Sequence, residues 1–131
     1  SYRNDHPDRR RTGADNLLEG FMVQYFILWD LPDQKANLTI YANKTKNDWL
    51  PVTLSHPGVT GIRNHRNPFE VTPQVAISIE FESMDAWRDY VESQDYIRIM
   101  HELRILGCRN FSTQLWAPSK YFPESLKPEG K

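Results

Sequence analysis

Between Val75 and Trp116 a strand, a helical segment and a second strand follow one another, and this succession suggests the fold around which the rest of the chain is read. Val75, Ile77, Ile79 and Phe81 alternate with Ala76, Ser78, Glu80 and Glu82. Period two with β-branched residues is the pattern of a strand with one apolar face. Ser83 stands where an N-cap is wanted, and Asp85 in the first turn meets the positive end of the helix dipole. Met84, Trp87, Tyr90 and Val91 then form one helical stripe, and Tyr96, Ile99, Met100, Leu103 and Leu106 form a second, with the phase slipping across Ser93-Gln94-Asp95. The slip predicts two short helices or one kinked helix, with Ser93 or Asp95 as an internal cap. Gly107 is placed to end it at positive φ. Cys108 to Trp116 then returns as a strand with Phe111, Thr113 and Leu115 on one face.

Upstream, Phe21 to Trp29 is apolar on both faces, as in a central strand covered on both sides. Residues 34–55 read less cleanly. Leu38, Tyr41, Thr45 and Trp49 recur at helical spacing, yet Leu38 to Tyr41 alone would also suit a short strand. Pro51 should kink or restart a helix, because it lacks an N–H and crowds the preceding turn. Ser55 to Gly58 reads as a turn, Val59 to Asn67 as a polar edge strand, and Asn67 to Pro73 as a loop. The order β-α-β-β-α-β predicts a ferredoxin-like α+β fold: a four-stranded antiparallel sheet with its helices on one face and its first and third strands central. The doubly apolar first strand then needs cover on the face the helices do not reach. A second copy of the sheet supplies it, giving a homodimer through the face of Ala76, Ser78, Glu80 and Glu82, a dimeric α/β barrel.

A chain of 131 residues suits one domain, expected over residues 21–116, after a polar, solvated leader (1–20) and before a Pro-rich arm (117–131). Trp116, Tyr121, Phe122 and Leu126 make that arm too apolar to be idle, so it is expected to lie along a surface. A net charge of −1 gives no basic footprint for nucleic acid. The apolar run Phe21 to Leu31 is too short to span a bilayer, which takes ~20 residues. A single cysteine, Cys108, excludes an internal disulfide framework and points to the cytoplasm, against which the sequons at Asn37, Asn43 and Asn110 argue weakly. His6, His56, His65 and His101 are too scattered for metal-ligand spacing. No Gly-rich phosphate loop is present, so neither a metal nor a nucleotide cofactor is expected.

The run Ser55-His-Pro-Gly-Val59 before a strand, Glu80-Phe-Glu-Ser83 followed by Trp87, Tyr90, Ser93, Tyr96 and Met100, and Leu115-Trp-Ala-Pro-Ser119 together resemble the dimeric α/β-barrel superfamily. That superfamily holds antibiotic-biosynthesis-type monooxygenases, plant polyketide cyclases and heme-degrading enzymes, and the likeness extends over about Phe21 to Ser119. It is similar to a bacterial branch with a Pro-rich tail and no clear assigned activity. The resemblance implies a small-molecule enzyme, foremost a cofactor-independent monooxygenase acting on an aromatic or polyketide-like substrate. The alternatives are a non-redox cyclase, isomerase or lyase in the same pocket, or a non-catalytic ligand-binding dimer. The cyclases' Tyr is matched by Tyr90, but Tyr96 stands where their His falls, six residues on. In the heme-degrading pattern, Phe81 takes the place of the Trp and Met100 that of the helical His, with His101 one residue off. No Asn is present on the first strand.

Such a fold offers a pocket between sheet and helices, apolar with a few convergent polar groups. Its expected substrate-binding wall is Tyr25, Ile77, Ile79, Phe81, Trp87 and Tyr90. His65 and Tyr96 are the expected acid–base pair, since imidazole titrates near neutrality and a phenol can donate a proton, with Arg63 and His101 as alternates. Glu80 and Glu82 are read as partners of Arg63 or Arg109 at a subunit interface. Cys108 is read as a small buried side chain.

Overall fold

A computed structural model describes residues 21–130; the leader expected over 1–20 lies outside the described residues. Strand β1 spans Val23–Asp30, β2 Val59–Arg66, β3 Val75–Phe81 and β4 Arg109–Trp116. They form one antiparallel sheet in the order β2-β3-β1-β4, with the two most apolar strands central as expected. Helix α1 (Lys35–Lys44) runs through a π-helical segment (Thr45–Trp49) into α2 (Leu50–Leu54), and α3 (Met84–Val91) and α4 (Gln94–Ile105) connect β3 to β4.

The ambiguous 34–55 stretch is therefore helical, and Pro51 shapes it. Lacking an N–H, Pro51 leaves the carbonyl four residues back without a bond and crowds it. The wider π-turn just before it opens that contact, with the Leu50 N–H reaching back five residues to the Thr45 carbonyl. The second connection is two helices, each with a serine cap: Ser83 Oγ accepts from the Ala86 N–H and Ser93 Oγ from the Tyr96 N–H. Gly107 ends α4 at φ +104°, as anticipated. Gly58 stands at φ +87°, and a Cβ there would lie 2.4 Å from the Ala86 Cβ. Only glycine lets the turn before β2 pass so close to α3.

Val23, Tyr25, Ile27 and Trp29 face the helices with Ile79 and Phe81, and Ile99, Met100 and Leu103 of α4 close the core over them. The opposite face carries Gln24, Phe26 and Leu28 of β1 beside Ala76, Ser78 and Glu80 of β3. No helix among the described residues covers it, and Phe26 and Leu28 remain only partly buried. Residues 117–130 form no regular structure. Trp116, Tyr121, Phe122 and Leu126 stay largely exposed, so in the protomer the arm does not pack on its own body. No helix among the described residues is long and apolar enough to cross a membrane.

Candidate functional site

A cavity of about 810 Å³ opens between the helix-side face of the sheet and the α1–π–α2 segment. Ile27, Val75, Ile77 and Ile79 form its floor, and Tyr41, Trp49 and Met100 form much of its roof. That volume is in the range that holds a drug-sized ligand.

The helical repeat places Tyr41 and Trp49 over this space, and polar contacts fix both. The Trp49 indole N–H donates to Glu102 Oε1 at 2.9 Å. The Tyr41 ring meets the Trp49 ring edge-on at 5.8 Å, and its hydroxyl oxygen accepts from the Trp29 indole N–H at 3.2 Å. The π-segment is tied down from outside by an ion network. Arg98 donates to both carboxylate oxygens of Asp48 at 3.1 and 3.0 Å and to Glu102 at 3.1 Å, while Lys44 reaches Asp48 and Glu102.

Arg98, then Lys44, hold the Asp48 carboxyl down at about 2, against an ordinary 3.8. Glu102 is lowered as well, first by the Trp49 indole N–H. For a carboxylate depressed in the folded state, the stabilisation is fully present above the ordinary value and fades as pH falls through the folded one. Asp48→Asn should accordingly lower the melting temperature at pH 7, and the gap to the parent should close between about pH 4 and 2. Thermal melts across that window check it, and a gap independent of pH would contradict it.

Burial raises the phenols of Tyr41 and Tyr90 to about 12 and pushes that of Tyr96 higher still. These tyrosines keep their protons near neutrality and do not serve as bases. Burial likewise lifts the Cys108 thiol to about 11, which fits its reading as a small buried side chain rather than a nucleophile.

The structure divides the residues expected at the site. Ile77, Ile79 and Tyr90 do line the cavity, Tyr90 with its hydroxyl 3.1 Å from Thr53 Oγ1. Tyr25, Trp87 and Tyr96 form an aromatic cluster beside it instead. The Tyr25 and Tyr96 hydroxyls are 2.8 Å apart, and Trp87 stands edge-on to Tyr25 at 5.8 Å. Phe81 is wholly buried against Tyr90, in the core rather than on a wall.

The expected His65–Tyr96 pair is corrected. Side chains alternate across a strand: Asn64 and Arg66 pair with Ile77 and Val75 on the cavity side, whereas Arg63 and His65 pair with Ser78 and Ala76 on the open side. His65 borders the cavity rim from the edge strand. Its ring, however, lies 6.3 Å from the Phe26 ring, with Nδ1 3.1 Å from the Ala76 carbonyl oxygen. The sheet thus separates it from Tyr96. Arg63 lies with it in a shallow hollow that also includes Phe26, Ser78 and Glu80. His101, the other alternate, is exposed on α4. No group of three or more His, Cys, Asp or Glu side chains able to hold a metal occurs among the described residues.

Trp29, Tyr41, Trp49, Thr53 and Asn64 line the cavity without having been singled out from the sequence. The helical spacing of Leu38, Tyr41, Thr45 and Trp49 was the available signal, and it was lost in the helix-or-strand ambiguity.

No protein-family profile matches the chain, and no curated protein matches it. Solved structures do. SnoaB, a cofactor-independent oxygenase from Streptomyces nogalater, superposes with a TM-score of 0.59 at 14% identity, over 79% of this chain and 98% of that one. A provisionally named antibiotic biosynthesis monooxygenase from Deinococcus radiodurans gives 0.61 at 8% identity, over 83% and 99%. A dabb family protein with a ferredoxin-like fold from Mesorhizobium loti gives 0.59 at 14%, over 76% and 98%. The fold is ferredoxin-like. At these identities the likeness is one of fold, and a shared fold hosts many chemistries.

Proposed function

We propose that this protein is a homodimeric small-molecule enzyme that binds an aromatic or polyketide-like substrate in the helix-side cavity and oxygenates it without a cofactor. The observation that carries the reading is the cavity itself, about 810 Å³, with apolar floor and aromatic roof on rigid elements. The oxygenase functions of SnoaB and the provisionally named Deinococcus monooxygenase favour that class on the same fold.

Electron-rich phenols need little chemical help in such a reaction. A hydroxyanthrone deprotonated at its benzylic carbon gives electrons to O₂ directly. Its CH₂ becomes C=O, one oxygen atom enters the product, and the other leaves as water with the two hydrogens. Binding would hold the ring flat against Ile77 and Ile79, exclude water and keep the reacting carbon open to O₂. Tyr90, Ile77 and Ile79 are the substrate-binding residues of this reading, and Tyr25, Trp87 and Tyr96 support them from behind.

An oxygen electrode with a panel of hydroquinones and hydroxyanthrones tests it. The expected result is uptake of one O₂ per substrate oxidised, at a rate well above autoxidation. Ile77→Trp, which fills the floor, should return the rate to the uncatalysed level. Binding of the panel with no excess O₂ uptake would replace the oxygenase with a non-redox cyclase, isomerase or binding role.

A further inference from the structure

Tyr41 is a cavity-lining phenol in position to donate outward. Its oxygen already accepts the Trp29 indole N–H at 3.2 Å, and that is its sole hydrogen bond among the described residues. The phenol's own proton therefore has no acceptor among the described residues, although Tyr41 is half-buried on the cavity roof. Several of the other polar groups of the lining have partners of their own. The Thr53 and Tyr90 hydroxyls face each other at 3.1 Å, Gln74 Oε1 takes the Leu31 N–H at 2.7 Å, and Arg66 pairs with Glu70 at 3.6 Å.

Leaving a half-buried donor unused costs stability, and donors so placed usually meet a ligand or water. The donor is also held in place. Its ring abuts Trp49, which Glu102 pins from behind, and its oxygen is held by Trp29, so a ligand would find it ready oriented.

We propose that Tyr41 is the ligand-orienting donor of this cavity, and that its ligand is a planar aromatic ketone whose carbonyl oxygen accepts the Tyr41 phenol proton in a hydrogen bond. This rests on the cavity being the binding site. It narrows the substrate class from aromatic molecules in general to those with a carbonyl on the fused ring system. The phenol, raised to about 12, keeps its proton through the physiological range. Lys46 and Arg66 border the cavity and suit an acidic substituent at the far end of the ligand.

Two soluble probes isolate the carbonyl. 9-Fluorenone-4-carboxylate and fluorene-4-carboxylate share ring system and charge and differ only in the ketone. Titration calorimetry on the full chain should give the ketone an affinity about three- to tenfold higher, the range for one neutral hydrogen bond. Tyr41→Phe should erase that preference while leaving the affinity for fluorene-4-carboxylate unchanged. If both probes bind the parent equally, or if Tyr41→Phe keeps the preference, the role given to Tyr41 is wrong and the cavity still stands as a binding site. If Tyr41→Phe loses affinity for both probes alike, the phenol shapes the cavity and does not read the carbonyl, which also overturns it. If neither probe binds the parent at millimolar concentration, the cavity reading falls along with it.

Discussion

Asp30→Ala should unfold the protein about 10–20 °C below the parent at pH 7. Asp30 ends β1 only 4% exposed, yet it is ionised and fully used. Its carboxylate accepts from Thr72 Oγ1 at 2.7 Å, the Gln74 N–H at 3.0 Å and Asn110 Nδ2 at 2.7 Å. One side chain thereby joins β1 to the β2–β3 loop and to the first turn of β4, where Asn110 takes φ +60°. Alanine would leave three donors facing an empty acceptor site. Buried hydrogen bonds to a charge contribute about 1.5–3 kcal/mol each, and they are not additive, so the loss is about 3–5 kcal/mol. For a domain of this size each kcal/mol moves the midpoint by about 3–5 °C.

The same bonds, that of Asn110 foremost, lower the Asp30 pKa below 3.8 despite its burial. The stabilisation is complete above that ordinary value and is lost as pH falls through the lowered one, so the penalty of the substitution should shrink in acid. Calorimetric melts of both proteins at pH 7 and pH 3 decide it. A variant melting within 2–3 °C of the parent at pH 7, a loss of under ~1 kcal/mol, would show that water replaces the carboxylate at little cost. The clasp adjoins the cavity. Leu31 and Pro32, next in the chain, line the cavity, and Gln74 holds the Leu31 N–H. Loosening Asp30 should weaken ligand binding in step with stability.

Asp30 also shows where reading the sequence stops. The alternation in β3, the phase slip at Ser93 and the glycine after α4 are local signals with local causes, and each leads to the element observed. The strand order follows because β1 and β3 carry the apolar residues that a central strand must bury. Which face of β2 meets the cavity is another matter. His65, Arg63 and Arg66 crowd one short polar strand, and with period two a shift of one residue sends each side chain to the opposite face. The apolar alternation that fixes register in β3 is absent from β2, so His65 reads as a cavity residue until its pairing with Ala76 is known. Tyr41 and Trp49 escape for a different reason. Their helical stripe is present in the sequence, but Leu38 to Tyr41 also suits a short strand, so the stripe does not single them out. Asp30 itself looks like a strand terminator, because its three partners come from 42 to 80 residues away and no local pattern announces them.

Phe26→Glu should convert a dimer into a monomer without unfolding it. The open face of the sheet carries Phe26 and Leu28 at the middle of β1, flanked by Ala76 and Ser78 on one side and Ser112 and Gln114 on the other. Among the described residues of the protomer these side chains have neighbours along the sheet and no layer above them. A sheet hydrophobic on both faces is stable when both are covered. The Trp116 side chain lies across from Gln24 at the margin of the same face, and the arm beyond it leaves Tyr121 and Phe122 at 79% and 65% exposure. A second copy related by a two-fold axis would answer both needs at once: its sheet would cover Phe26 and Leu28, and its margin would offer a surface to the arm. A specific interface of this kind buries at least ~1,000 Å². Because a two-fold interface brings the same patch together from both subunits, a carboxylate introduced at Phe26 is buried twice and faces its own copy. Apposed like charges cost several kcal/mol, so the dissociation constant should rise by at least ~100-fold. Sedimentation equilibrium at micromolar concentration should give twice the 15.4 kDa chain mass for the parent and that mass for the variant, with matching far-ultraviolet circular dichroism. A monomeric parent would remove the dimer outright. A variant that stays dimeric would move the interface off this face, and some other partner would then have to cover Phe26 and Leu28.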